Sequence, residues 1–145
     1  MNLSTEIAII FASKELNDVI ENVDFCESDA TFYVCPQHFY QFFTIMVSYK
    51  NHAFPAFFAL MTKKTEKLYS SILNEIKVHF PNFNPSVSMS DFERAIMSSF
   101  EQTFPGIILH GCVFHYKQGV YKKVKKYCLS RVFHGNAIFD IMFTV

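Results

Sequence analysis

Two acidic residues stand where a sheet could bring carboxylates together. Asp29 is followed at once by the strongly β-favouring run Ala30–Val34, and Asp91 directly follows another short β-favouring run, Val87–Ser90. Two carboxylates on neighbouring strand ends can share a hard cation such as Mg²⁺, which prefers oxygen ligands. Paired metals of this kind stabilise both the attacking and the leaving oxygen in phosphoryl transfer. The two acids are therefore candidate metal ligands and candidate catalytic residues.

Both acids also have structural interpretations that need no metal. Ser90-Asp91-Phe92-Glu93 matches a capping box, with Ser90 as the N-cap, Glu93 at the third helical position and Asp91 favoured by the helix dipole. Asp29 can be an ordinary acid at the edge of a strand. Local sequence alone favours these structural roles.

A Cys-x-x-His spacing follows downstream, at Cys112 and His115. This is the spacing of half a zinc site, and a complete site needs two further ligands. Cys128, His110 and His134 are the nearby candidates for them. The alternative is a buried cysteine beside a histidine that caps a helix, without a metal.

A basic cluster lies directly after this motif. The formal net charge of the chain is zero, but six of its thirteen basic residues lie between positions 117 and 131, and seven of its thirteen acids lie in the first 29 residues. Phosphate contacts from such a cluster give affinity for nucleic acid that depends on salt and ignores sequence. The alternative is a solvated helix face. The candidate DNA-binding residues are Lys117, Lys122, Lys123, Lys125 and Lys126.

The elements that must position these residues begin with three strands. Asp24–Val34, Phe39–Tyr49 and His52–Met61 are rich in strand-favouring residues, and Lys50–His52 supply a turn between the last two, which indicates an antiparallel meander. Pro55 indicates that the third strand lies at an edge of the sheet or carries a bulge. Two elements are predicted before them: a short strand, Ile7–Ala12, and a helix that Ser13 caps and that runs to Glu21.

Helices alternate with strands in the rest of the chain. Apolar residues recur at helical spacing from Thr65, the expected N-cap, to Phe80. The later elements are a strand at Val87–Ser90, a helix over 92–100, a strand at Ile107–Leu109, a helix over 113–127 and an unfinished apolar segment over 137–145. The order βββ, then α-β-α-β-α, predicts the α/β class and a ribonuclease H-like fold that is incomplete at its C-terminus. In that fold the first and fourth core strands are neighbours, so Asp29 and Asp91 are expected side by side.

Length and composition fit one domain with a substantial core. Of the 145 residues, 50% are hydrophobic and 18% are charged, and 18 are Phe. Phe-rich strands suit a sheet that is covered on both faces. No apolar run reaches the roughly 20 residues that a membrane-spanning helix needs, so no membrane contact is expected. The spacings predict that the four cysteines are reduced thiols: Cys26, Cys35, Cys112 and Cys128.

Taken together, these residues resemble the MULE transposase domain of Mutator-like elements, whose members are DDE transposases of ribonuclease H-like fold. The similar blocks run in family order across residues 26–126, and this joint order is more specific than any single motif. The blocks are Ser28–Phe32, Phe39–Ile45, Pro55 with Ala59–Tyr69, Asp91–Ala95, and Phe104–Pro105 with Gly111–Gln118.

The resemblance implies roles for the candidate residues. Asp29 and Asp91 correspond to the first two catalytic acids, which would hold Mg²⁺, and Cys112 and His115 correspond to the family's Cys-x-x-His motif, where Zn²⁺ is a candidate ligand. DNA is the implied partner, self-association is a second candidate interaction, and the nucleus is the implied location.

One feature of the family has no counterpart. The family needs a third acid, a Glu well downstream of Cys-x-x-His, but after Glu101 the chain has no Glu and its one acid is Asp140, which comes too early. We therefore expect residues 1–145 to form a single, truncated catalytic-core domain of a partial or domesticated transposase, inactive in DNA strand transfer. The alternative is a non-catalytic module that binds nucleic acid or another partner and retains the fold.

Overall fold

A computed structural model describes residues 6–127. The predicted apolar segment over 137–145, and Cys128, His134 and Asp140, lie outside these residues. The chain divides into two compact units, residues 1–110 and 111–145. The first unit holds the sheet and the helices that cover one of its faces, and the described part of the second is a single helix.

The expected meander forms the centre of a six-stranded sheet. β2 (Phe25–Thr31), β3 (Gln41–Tyr49) and β4 (His52–Met61) pair antiparallel in sequence order, and β1 (Ala8–Ala12) adds antiparallel to the outer side of β4. β5 (Val87–Ser90) lies on the other side of β2, with β6 (Ile108–Gly111) beyond it, so the order is β1-β4-β3-β2-β5-β6. The ribonuclease H-like layout predicted from the element order is confirmed.

Pro55 marks a bulge. The pairing of β3 with β4 shifts by one residue where Ile45 faces Phe57 and Met46 faces Pro55, so Ala56 is the extra residue of β4. β1 pairs with Phe57–Met61 of β4, so Pro55 lies before the part of β4 that is paired on both sides. A bulge tolerates proline since it interrupts the ladder of backbone hydrogen bonds locally.

The pairing of β2 with β5 carries the site. These two strands run parallel, in a register that opposes Phe25 to Val87 and Ser28 to Ser90. At the start of the pair, the Asp24 carbonyl oxygen accepts hydrogen bonds from the backbone N–H groups of Ser86 and Val87, at 2.9 and 3.0 Å. The Asp24 carboxylate also accepts from the Ser86 hydroxyl. These contacts fix the register of β5 against β2.

Two helices cover one face of the sheet. α2 (Glu66–His79) follows its predicted N-cap, Thr65, whose hydroxyl oxygen accepts from the Leu68 N–H at 3.3 Å, and α3 (Arg94–Thr103) packs beside it. The Ser99 hydroxyl donates to the Glu66 carbonyl oxygen at 3.0 Å and ties the two helices together. Alternate residues of the strands, such as Phe43 and Ile45, join the helices in one buried core.

Several boundaries differ from those predicted. β2 ends at Thr31 rather than Val34, and the region after Ser13 forms a 3₁₀ turn followed by the short helix α1 (Asn17–Ile20). The last described helix, α4 (Val113–Lys126), agrees with its prediction to within a residue. Among residues 6–127, no helix combines the length and the apolar character that crossing a membrane requires. The cysteines of this part of the chain, Cys26, Cys35 and Cys112, are free thiols.

Candidate functional site

Asp29 and Asp91 each follow a residue of the last pair between two adjacent parallel strands, Ser28 and Ser90. The register opposes Ser28 to Ser90, and the two acids are the next residues along β2 and after β5. Neighbouring strands lie about 4.8 Å apart, so the two backbones are close at this point. Ser28 and Ser90 are buried towards the helices. Because side chains alternate along a strand, Asp29 belongs to the opposite face of β2, whereas Asp91 is the first residue beyond the end of β5.

The surroundings of the two acids differ. Asp29 is exposed and lies opposite Thr44 in the antiparallel pair of β2 with β3. Asp91 is partly buried, and its Oδ1 accepts a hydrogen bond from the Glu93 backbone N–H at 3.0 Å. This contact is a short turn closed by an aspartate side chain, which a two-residue separation allows. It leaves the second oxygen of the Asp91 carboxylate outside this hydrogen bond.

The predicted capping box is wrong. Ser90 belongs to β5, its hydroxyl donates to the Asp91 carbonyl oxygen at 2.9 Å, and the N-cap of α3 is Glu93. Ser90 pairs with Ser28 of β2 and is therefore the last residue of β5, so it cannot also be the residue at which the helix begins. Asp91 therefore does not lie in the first turn of α3, and the structural interpretation based on the helix dipole no longer applies to it.

A group of polar side chains surrounds Glu93 on the helix side of the sheet. The Tyr69 hydroxyl donates to Glu93 Oε1 at 3.4 Å, and Lys64 Nζ lies 3.8 Å from Glu93 Oε2. Burial raises the pKa of the Glu93 carboxyl, the nearby Lys64 ammonium opposes this, and the Asp91 charge adds to it. Burial, together with the charges of Glu93 and Asp91, also raises the pKa of Tyr69. The negative charge of Asp91 therefore raises the pKa of both side chains.

The donor set suits part of a magnesium site. Two carboxylates at adjacent strand ends match the way proteins hold Mg²⁺, by one or two carboxylates with water completing the octahedron. Within residues 6–127, no three His, Cys, Asp or Glu side chains come together as a group that could hold a metal. Asp29 and Asp91 thus fit two of the ligands, and no third acid of this part of the chain joins them in such a group.

Cys112 and His115 lie at the start of α4. Cys112 is the N-cap residue, and its carbonyl oxygen accepts from the Tyr116 N–H at 3.0 Å. Both side chains are partly buried, and the His115 ring makes an edge contact with Phe114, with 5.7 Å between ring centres. The predicted further zinc ligands Cys128 and His134 lie outside the described residues. The described residues, including His110, do not complete a zinc site.

The five candidate DNA-binding lysines all lie on α4. Lys122, Lys123, Lys125 and Lys126 are exposed, Lys117 is partly buried, and Val124 is buried. Lys125 Nζ lies 4.7 Å from the centre of the Tyr121 ring, a cation–π contact along the helix. The helix therefore exposes four of the five lysines to solvent.

Sequence reasoning missed the polar group around Glu93. Gln41 at the start of β3 is fully buried and donates through Nε2 to the Tyr69 hydroxyl at 2.5 Å. Tyr69 was expected only as the last residue of the similar block Ala59–Tyr69. A buried glutamine at the start of a strand is the one local signal that a polar partner lies nearby.

Residues 25–119, well over half of the chain, match the family model of the MULE transposase domain. The matched region begins at β2, contains both acids and ends within α4. No curated protein matches the chain.

Proposed function

Because this chain belongs to the MULE transposase domain family, we propose that it is the catalytic-core portion of a Mutator-like transposase, in partial or domesticated form. The family relates the chain to transposition of DNA. The finer proposal is that all 145 residues belong to one core domain, which retains a divalent-metal site and a DNA-binding helix.

The observation that supports the metal site most strongly is the register of β2 against β5. It opposes Ser28 to Ser90 and so brings the next residues, Asp29 and Asp91, to adjacent strand ends. We propose that these two carboxylates hold Mg²⁺. When bound, the metal supplies charge stabilisation to the phosphate oxygens of DNA and activates a water for strand cleavage. The role of this chain's residues is to fix the two carboxylates at one edge of the site.

The set of acids argues against full activity. After Glu101 the chain carries no Glu, and its one later acid, Asp140, is proposed to have no part in the site. Two acids leave two-metal geometry incomplete, since both metals need ligands to clamp the attacking and leaving oxygens. We therefore propose that this chain performs weak or no strand transfer.

DNA is the proposed partner, through the exposed lysines of α4. Their charge is concentrated on one helix, whereas the acids of the chain are concentrated in its first 29 residues. The nucleus is the matching location, and Lys122–Lys126 also resemble a nuclear localisation signal. Zinc binding by Cys112 and His115, and self-association, remain part of the proposal by family resemblance alone.

The test separates the enzyme from a second candidate, a non-catalytic nucleic-acid-binding module. That candidate is favoured because no group of three possible metal ligands forms among residues 6–127. The purified chain is incubated with linear duplex DNA in Mg²⁺ or Mn²⁺, and both DNA retention and DNA joining are measured. Retention without joining supports a core that binds but does not transfer strands. Joined DNA ends would contradict the proposed inactivity, and no retention at low salt would contradict both candidates.

A further inference from the structure

A line of hydrogen bonds runs through the core to the segment that carries Asp91. Gln41 on β3 donates through Nε2 to the Tyr69 oxygen at 2.5 Å, and the Tyr69 hydroxyl donates to Glu93 Oε1 at 3.4 Å. The Glu93 backbone N–H then donates to Asp91 Oδ1 at 3.0 Å. Three elements, β3, α2 and the start of α3, are joined by this line.

The carboxylate of Glu93 decides which group donates and which accepts in each of these hydrogen bonds. An ionised carboxylate only accepts hydrogen bonds, so the Tyr69 O–H must donate to Glu93 and its oxygen must accept from Gln41. Tyr69 is 1% exposed and Gln41 is fully buried, so neither can turn to water for a replacement partner. Breaking the line would leave a buried polar group unpaired, which is costly.

Tyr69 is also held by its ring. Its ring packs edge-on against Phe43 of β3, with 5.1 Å between ring centres. Gln41 is held in turn by a contact from Nε2 to the Met61 sulfur at 3.2 Å. The line therefore begins in a buried part of the sheet and ends on the short connection between β5 and α3.

We propose that Gln41, Tyr69 and Glu93 are positioning residues that hold the Asp91 carboxylate beside Asp29. Glu93 acts through its place in the line and not as a ligand, because its side chain is directed to Tyr69 and Lys64 on the helix side of the sheet. The Glu93 backbone N–H, rather than its carboxylate, makes the connection to Asp91. This positioning role is an addition to the proposed metal site. Its effect on metal binding rests on that site, whereas the hydrogen bonds themselves do not.

The first experiment needs no metal. Amide hydrogen exchange is measured on the wild-type chain, on Tyr69→Phe, and on Tyr33→Phe as a matched control, because Tyr33 is 99% exposed. Tyr69→Phe should speed exchange of the Glu93 amide about tenfold, since it removes a hydrogen bond to a charged group. Amides in the middle of α2 should keep their wild-type rates. Unchanged exchange at Glu93, or an equal acceleration throughout α2, would overturn the proposal.

The second experiment separates position from charge. Mn²⁺ affinity is measured by titration calorimetry for wild type, Glu93→Gln and Glu93→Ala. Glu93→Gln retains an acceptor for Tyr69 and should bind within about twofold of wild type, whereas Glu93→Ala should bind about tenfold more weakly, as the loss of an outer partner typically does. Equal losses in both variants would show that Glu93 acts by charge and would overturn the proposal. Absence of Mn²⁺ binding by the wild type would contradict the proposed function, while the exchange experiment would still decide the positioning role.

Discussion

Replacing Lys122, Lys125 and Lys126 by Gln should remove most of the salt dependence that α4 gives to DNA binding. Successive helical residues are rotated by about 100°, so these three lysines share an arc of about 100°. All three are exposed, and the arc lies opposite the buried Val124. Lys117, in contrast, is partly buried and lies about 140° from Lys122 around the helix. One duplex can therefore contact three of the five lysines at once.

The size of the effect follows from counterion release. Each phosphate that a lysine neutralises adds about 0.9 to the slope of log affinity against log salt, so three lysines contribute a slope of about −2.7. Raising salt from about 50 to about 200 mM should then weaken this part of the binding about 40-fold, whereas contacts from all five lysines would weaken it about 500-fold.

The assay is fluorescence anisotropy of a labelled duplex at several KCl concentrations. The triple variant should flatten the slope by about 2.7, and each single Lys→Gln change within the arc by about 0.9. Lys117→Gln is the matched control, with an unchanged slope expected. An unchanged slope in the triple variant, or an equal loss in Lys117→Gln, would refute the assignment of this helix face to DNA.

Three further predictions concern stability and reactivity. Phe83 is fully buried between the rings of Phe57 and Phe104, so Phe83→Ala should lower the free energy of unfolding in urea by about 4 kcal/mol, against at most about 0.5 for exposed Tyr33→Ala. Lys50 and Asn51 have φ of 48° and 64°, so Lys50→Asn with Asn51→Gly should raise that free energy by about 0.5–1 kcal/mol; a loss would contradict this turn. Burial raises the pKa of Cys26 to about 12, so mass spectrometry should find it unalkylated at pH 8 until the chain unfolds. Because the folded state holds this proton more tightly, the Cys26 contribution to stability should fall as pH rises from about 9 towards 12; alkylation of the native chain would contradict this.

Elements with strong local patterns could be predicted from the sequence. α2 was expected from its helical spacing and from Thr65 as its cap, and β4 was expected over the range it occupies, His52–Met61. These signals are local, since periodicity and capping act within a few residues. The order of elements then sufficed for the ribonuclease H-like layout, because only a few topologies fit such an order.

Features that depend on long-range pairing could not be predicted. Ser90 has the sequence signature of a helix cap, but pairing with β2 draws it into β5 and moves the start of α3 to Arg94. The place of β1 beside β4 likewise depends on residues about 50 positions apart. Tertiary pairing outweighs local propensity at such points.

The candidate site was predicted in part. The expectation that the strands carrying Asp29 and Asp91 are neighbours is confirmed by the pairing of β2 with β5, whereas their role as metal ligands stays a prediction. The line from Gln41 through Tyr69 to Glu93 was not foreseen. Its members are far apart in sequence, and nothing in a helical pattern distinguishes a tyrosine that only packs from one whose hydroxyl also has a buried partner.

Whether Asp29 and Asp91 share a metal ion is tested by titration calorimetry with Mn²⁺. The samples are wild type, Asp29→Ala, Asp91→Ala and the double variant. Glu27→Ala serves as the control, since Glu27 lies two residues before Asp29 and therefore on the same face of β2. Wild type and Glu27→Ala should bind the metal, either aspartate variant should lose binding, and the double variant should bind no more weakly than the single ones. Absence of binding by the wild type, or its retention in either aspartate variant, would contradict a shared metal site at the ends of β2 and β5.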